Sequence, residues 1–270
     1  MIVDYHMHLR DPEGRIAHRV EAVEPFVETA ARRGVDEIGF TEHVYYFRQT
    51  REIWDLPYQT ERCVYDLDAY CDAVAEAKRQ GLPVKLGLEV DYVDARQSRL
   101  TELLAPYPWD FLLGSVHRLG GLDVNQEPGV WATASVEEVW RRYFDALGEL
   151  AESGAIDVLA HPDLCKIHGR RPADPLVREL HEQAAERIGR SGVAVEISTA
   201  GLHKRVAEIY PSPDFLRACR ERGVPITFAS DAHSPEHVGR DFDAALELAR
   251  AAGYTEVAVY ADRVRKLVPF

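Results

Sequence analysis

No apolar run in the 270 residues approaches the roughly 20 needed to span a bilayer, so a membrane is not expected as a partner. Cys63, Cys71, Cys165 and Cys219 form no Cys-x-x-Cys pair and fall in segments that read as helix or loop. Neither a disulfide framework nor a cysteine zinc site is expected. There is no low-complexity tract and no linker rich in Gly, Pro or Ser. The G-x-x-x-x-G-K phosphate loop is absent, which leaves nucleotide-triphosphate hydrolysis without support. Positive charge is in short supply: 32 Lys and Arg against 45 Asp and Glu give a net charge of −13. Such a surface repels phosphate backbones and disfavours nucleic acid as a partner. The opening MIVDYHMHLRDPEG lacks the basic and then apolar regions of a signal peptide. A reduced, cytoplasmic compartment is the expectation, with the chain a monomer or homodimer.

What is present is the material of a large core: 46% hydrophobic and 29% charged residues, an ordinary globular composition. Short β-branched runs at Ile2–His6, Glu37–Thr41, Val84–Val90, Phe111–Val116, Asp157–Ala160, Val193–Ile197 and Ile226–Ala229 read as strands. Longer segments of helical period separate them. Val136, Val139, Trp140, Tyr143, Phe144, Leu147 and Leu150 follow the i, i+3, i+4, i+7 pattern, as do Leu176, Val177, Leu180, Ala184 and Ile188. Ser135 with Glu138 forms a capping box, and Asp174-Pro175, Ser212-Pro213 and Ser234-Pro235 read as capped helix starts. Gly34, Gly81, Gly192, Gly223 and Gly253 read as helix ends. About seven strand–helix units imply a parallel α/β fold: one domain spanning 1–270, a (β/α)8-type barrel lacking one unit, with an open doubly wound sheet as the competitor. Glu256–Tyr260 adds a short strand and a closing tail.

The polar residues sit at strand ends. Asp4, His6 and His8 follow the first strand; Thr41, Glu42 and His43 the second; Glu89 and Asp91 the third; Ser115 and His117 the fourth. His161 and Asp163 follow the fifth, Glu196 and Ser198 lie on the sixth, and Asp231 and His233 follow the seventh. In a parallel barrel these ends meet on one face. His6 and His8, two apart in a strand, point the same way, as do Asp231 and His233 if the chain stays extended. A lone strand-end histidine is more often a polar cap than a ligand. Six histidines and two acids at the ends of six strands point to two or three ions of zinc, manganese or iron. Clustered ions activate water and stabilise charge on phosphoryl oxygens. Glu196 reads equally as a neighbour or orienter of a ligand and as an acceptor of backbone hydrogen bonds. Asp163 reads as a loop cap, and His168, His181 and His237 as surface residues.

At these residues the chain resembles the PHP family, the polymerase and histidinol phosphatase metal-dependent hydrolases. Asp4-x-His6-x-His8, Thr41-Glu42-His43, Glu89, His117, His161 and Asp231-x-His233 match its motifs in order. GLEVDY (Gly87–Tyr92), GSVH (Gly114–His117), HPDL (His161–Leu164), EISTAGL (Glu196–Leu202) and SDAH (Ser230–His233) are similar to the monofunctional histidinol-phosphatases. The resemblance implies a distorted (β/α)7 TIM-like barrel and three ions. His6, His8, Glu89 and Asp231 would hold the first; Glu89, His117 and His161 the second; His43, His233 and a first-loop residue the third. Counting back from Gly34 favours His18 for that last place, with Asp11 and Glu13 open and His18 alternatively an ordinary helix-start residue. Asp231, His233, Glu89 and His43 are taken as catalytic.

The implied activity is hydrolysis of L-histidinol phosphate, a step of histidine biosynthesis. Phosphate calls for a cation outside the metals. Arg118, Lys166, His203, Lys204 and Arg205 are the candidates, although the related stretch carries arginine where this chain has His203. Asp91, Tyr92 or Tyr46 could meet the amine and imidazole. The rivals are a PHP phosphoesterase for another small phosphomonoester, a silent metal-binding regulatory domain, and a nuclease acting on strand ends.

Overall fold

Every side chain of the strand Val3–Met7 is buried, which a strand achieves only when both its faces are covered. The same holds, wholly or nearly so, along the other strands of the computed structural model, which describes residues 1–11 and 13–270. Those strands are β1 (Val3–Met7), β2 (Glu37–Phe40), β3 (Val84–Leu86), β4 (Glu89–Asp91), β5 (Leu113–Ser115), β6 (Val158–Leu159), β7 (Ala194–Ser198) and β8 (Ile226–Ala229). They form two parallel sheets, ordered β1-β2-β3 and β8-β7-β6-β5-β4. With β3 and β4 sharing one position, seven staves surround the core, the distorted (β/α)7 arrangement expected. The ladders do not run round the whole circle. Single bridges join the sheets, Met7 to Ala232 and His43 to Glu89, and both lie at the polar strand ends.

The run expected as one strand, Val84–Val90, is therefore two, divided at Gly87-Leu88, and the division is where the chain passes from one sheet to the other. A Cβ on Gly87 would stand 2.8 Å from the Phe111 ring, and one on Gly39 would do the same. Glycine at both positions leaves room for Phe111, which stacks on Tyr5 at 4.9 Å between ring centroids. Phe111 thus serves as a plug rather than the start of a strand, and the fourth expected strand shortens to β5. The Asp157–Ala160 run likewise shortens to Val158–Leu159.

Helices α1 (Glu24–Arg32), α2 (Leu67–Arg79), α3 (Gln97–Leu104), α4 (Val136–Glu152), α5 (Asp174–Ser191), α6 (Pro213–Glu221) and α7 (Phe242–Ala251) connect the strands. Ser135 Oγ accepts from the Glu138 N–H and caps α4. Asp174 is not the cap of α5: Ala173 holds that position and Asp174 is already helical, its charge at the positive end of the helix dipole. Ser212 and Ser234 precede their helical turns without a side-chain cap bond. The five helix-ending glycines all have positive φ.

The C-terminal tail forms a hairpin, β9 (Glu256–Ala261) with β10 (Val264–Pro269). It packs at the strand starts, opposite the polar ends: the Tyr260 hydroxyl donates to the Asp157 carbonyl and the Arg263 N–H to that of Asp110.

Candidate metal centre

His6 and His8 turn their rings the same way, as strand alternation requires. Their Nε2 atoms stand 3.5 and 3.3 Å from Asp231 Oδ1. Glu89, at the start of β4, is the hub. Its Oε2 lies 3.6 Å from His6 Nε2, 3.8 Å from His8 Nε2 and 2.5 Å from His43 Nδ1. Its Oε1 lies 3.3 Å from Nε2 of both His117 and His161. Two of the contributing residues have left-handed backbones, His161 at φ 27° and Asp231 at φ 53°. Neither is glycine, so this is strain held in place by surrounding structure.

The donor atoms fall into four groups in which each atom lies within 4.8 Å of the others: His6, His8 and Asp231; His6, Glu89 and His161; His43, Glu89 and His117; His8, His43 and His233. Two donors at opposite arms of a tetrahedral zinc would stand about 3.4 Å apart, given bonds near 2.1 Å. The carboxylate–imidazole separations cluster about that value. His6 Nε2, both nitrogens of His8, His43 Nδ1 and Glu89 Oε2 are buried without a hydrogen-bond partner. Orphaned polar atoms are costly in a protein interior, and a shared cation removes that cost. The residues fit a cluster of divalent ions.

Carboxylates behind the rings set their tautomers. Glu196 lies 3.0 Å from His6 Nδ1, and Asp91 2.8 Å from His117 Nδ1. Each carboxylate only accepts, so Nδ1 carries the proton and Nε2 is left facing Glu89. Burial opposes protonation of His6, but Glu196, Asp231 and Glu89 outweigh it and hold its pKa well above the ordinary value. His117 behaves likewise: burial is outweighed by Glu89 and Asp91, and its pKa rises to about 9. Burial would raise Glu89, yet the rings of His43, His117 and His6 keep it well below the usual carboxylate range. Burial lowers His43.

The nine residues expected to hold metal converge with one exception. His18 is not in any of the four groups. Its Nε2 is 3.8 Å from Glu42 Oε1, and its ring packs against Phe47, Tyr65 and Tyr70. Asp11 is engaged by Arg15, and exposed Glu13 pairs with the same guanidinium. His8 completes the group containing His43 and His233.

Above the cluster opens a cleft of about 210 Å³. His43, His117 and His233 line it together with Tyr45, Tyr46, Tyr58 and Arg118. Arg118 pairs with Asp123 at 2.9 Å and lies over the Tyr58 ring. The other proposed phosphate cations are elsewhere. Lys166 is fully buried and spent on Asp163, at 2.9 Å, and the Ile209 carbonyl. His203, Lys204 and Arg205 are exposed and do not line the cleft; His203 pairs with Asp241 at 2.6 Å and Arg205 with Glu127. Asp91, a candidate for the substrate amine, is buried and engaged with His117, while Tyr92 bonds to Glu149. Tyr46 does line the cleft.

Of the readings open for Glu196, the structure places its carboxylate 3.0 Å from His6 Nδ1 and has it accept the His161 N–H at 2.7 Å. Asp163, expected as a loop cap, stands before a helical turn without a side-chain cap bond; its carboxylate instead binds Lys166 and accepts the Ser212 N–H. His181 is not on the surface but buried, and His168 and His237 are half-buried. Sequence reasoning missed the Arg10–Glu42 pair, 2.6 Å apart and buried behind His8, and the cleft residues Tyr58, Asn125 and Gln126. The sequence places Glu42 among the strand-end polar residues but without its partner; Tyr58 lies in the single helical turn Pro57–Thr60 and Asn125 and Gln126 in a loop, neither of which carries a period.

The family model described as PHP domain matches residues 4–200, and the model described as PHP-associated matches residues 216–242. A probable histidinol-phosphatase of Deinococcus radiodurans is 32% identical over 264 residues, covering 97% of each chain. The histidinol-phosphatase of Bacillus subtilis (strain 168) is 25% identical over 251 residues, 84% of this chain and 92% of that one. The structure of histidinol phosphate phosphatase from Lactococcus lactis subsp. lactis Il1403, complexed with zinc, L-histidinol and phosphate, aligns with a TM-score of 0.75 at 20% identity, covering 98% of each chain.

Proposed function

The chain belongs to the PHP domain family, and on that premise we propose that it is a metal-dependent phosphomonoesterase hydrolysing L-histidinol phosphate to L-histidinol and phosphate. The observation that carries the chemistry is the convergence of six histidines with Glu89 and Asp231 at the strand ends, with orphaned donor atoms between them. The substrate rests on similarity to proteins named histidinol-phosphatase over nearly the whole chain.

In this reading His6, His8, Asp231 and Glu89 would hold one divalent ion, Glu89, His117 and His161 a second, and His43 and His233, with His8 beside them, a third. Zinc, manganese and iron all suit this donor set. When bound, such ions lower the pKa of water and offset charge on phosphoryl oxygens. Around them the chain's own residues work by position. Asp91 and Glu196 keep proton-free nitrogens facing inward. Arg118, which lines the cleft, receives the phosphate in a fork. The tyrosine rings stand beside the leaving alcohol, and the 210 Å³ cleft suits a small monoester better than a nucleic-acid strand.

The strands that supply these residues run from Val3 to Ala229, which favours treating 1–270 as one functional unit. All four cysteines are free and buried, consistent with a reducing, cytoplasmic setting. No helix among the described residues is long and apolar enough to cross a membrane.

The test is phosphate release from L-histidinol phosphate beside a panel of phosphomonoesters, on protein of measured metal content. Preference for histidinol phosphate, lost with chelator and in His8→Ala, is expected. Turnover of other esters alone would retain the metal chemistry and discard the substrate. No turnover with metal bound would discard both.

A further inference from the structure

We propose that Glu196 is a positioning residue that couples two parts of the metal centre, fixing the His6 ring by its Nδ1–H and the His161 backbone by its N–H. The inference rests on the metal-centre reading and not on the substrate.

Glu196 lies on β7 and is fully buried. Its Oε2 and Oε1 stand 3.0 and 3.2 Å from His6 Nδ1, and Oε1 accepts the His161 N–H at 2.7 Å. His6 comes from β1 and His161 follows β6, so one side chain governs ligands from two separate staves. His161 is where positional control is most needed. Its φ of 27° is a conformation a non-glycine residue holds only under constraint. The constraint is visible on both sides of the residue: Glu196 takes its N–H, while the Tyr143 hydroxyl and the Leu164 N–H donate to its carbonyl. The backbone bond aims the imidazole at Glu89, 3.3 Å away. The ring bond keeps the His6 proton on Nδ1 and leaves Nε2 for the ion shared with His8 and Asp231.

A carboxylate can do both, because both of its oxygens accept. An amide cannot. In Glu196→Gln the amide oxygen still serves the His161 N–H, but the NH2 group faces His6 Nδ1 as a donor and favours the tautomer with its proton on Nε2. The isosteric change therefore separates orientation of the ring from packing of the strand.

The experiment measures zinc affinity by competition with a chelator, metal content by elemental analysis, and imidazole N–H proton resonances of the zinc-loaded protein. We expect Glu196→Gln to bind zinc about 10- to 100-fold more weakly at the affected positions, with far-ultraviolet circular dichroism unchanged. We expect wild type to show His6 protonated on Nδ1. Equal zinc affinity in the two proteins overturns this inference alone. A wild-type His6 proton on Nε2 overturns it too, and that measurement needs no variant to fold. A wild type that takes no zinc, manganese or iron overturns both this inference and the metal reading beneath it.

Discussion

Two regions of this molecule bury histidine in opposite ways. At the strand ends, each ring meets carboxylates: Glu89 alone lies within 4 Å of five imidazoles. In the seam between α4, α5 and α6, His181 is equally buried but stacks on Phe215 at 4.8 Å and 13°, with Phe144 and Trp140 beside it. Neither of its nitrogens has a partner, and burial pulls its pKa down to about 4. Unsatisfied nitrogens are thus common to both regions and do not by themselves make a metal site. What differs is convergent negative charge, which raises His6 and His117 where His181 falls. One region is a neutral aromatic filler and the other an ionic cluster that calls for a cation.

The largest break in this contrast should come from Glu89→Gln, which keeps the shape and removes the charge common to five rings. We expect kcat/KM to fall by about 10³-fold, equivalent to about 4 kcal/mol, with loss of bound metal by elemental analysis. His181→Phe should leave kcat/KM within about twofold. Comparable losses in both variants would erase the distinction.

A smaller effect is expected behind His8. Arg10→Met leaves Glu42 charged and buried with its guanidinium gone. Breaking such a pair from one side costs about 3 kcal/mol, read as a lower denaturation midpoint at unchanged m-value. Metal removal should cost slightly less: at free metal a hundredfold above Kd, binding stabilises by about 2.7 kcal/mol. For a chain of this size that is a Tm change of about 5–10 °C on chelation. Glu89→Gln should no longer show that change, whereas His181→Phe should retain it.

Much of the ionic region was legible because strand period and strand order are written into the residues. His6-x-His8 and Asp231-x-His233 announce shared faces, and parallel strands bring their ends together whatever the intervening distance. Counting in a loop, which has no period, cannot say which way a residue points: His18 lies outside the four donor groups, and His8 stands with His43 and His233 instead. Asp91 was within reach of the same reasoning, two residues from Glu89 on the same face of β4. His181 was misplaced although the signal was there: it lies four residues after Val177 and three before Ala184, inside the apolar stripe of α5. The hairpin at the C-terminus was half-seen because its turn, Asp262-Arg263, has two positive φ values without the Asn-Gly or Asp-Gly that usually marks them. The break between β3 and β4 depends on the distant ring of Phe111, which no local pattern records.

The smallest effect is the most discriminating, because His181 and His117 should respond to pH with opposite sign in metal-stripped protein. His181 has a folded pKa below its ordinary 6.5, so the unfolded chain binds the proton first. Its contribution to stability is complete above pH 6.5, declines as pH falls, and levels off below about 4. At pH 5.5 the loss is about 1.4 kcal/mol, a few degrees in Tm. His117 has a folded pKa raised from 6.5 to about 9, so its contribution is complete below 6.5 and disappears as pH rises through about 9. Between pH 6 and 8 that amounts to roughly 2 kcal/mol. His181→Phe should flatten the acid limb of the Tm profile and leave the alkaline limb; Asp91→Asn should do the reverse. If both substitutions altered the same limb, the charge environments assigned to the two regions would be wrong. If metal left the alkaline limb of wild type unmoved, the cation would not be acting where the carboxylates converge.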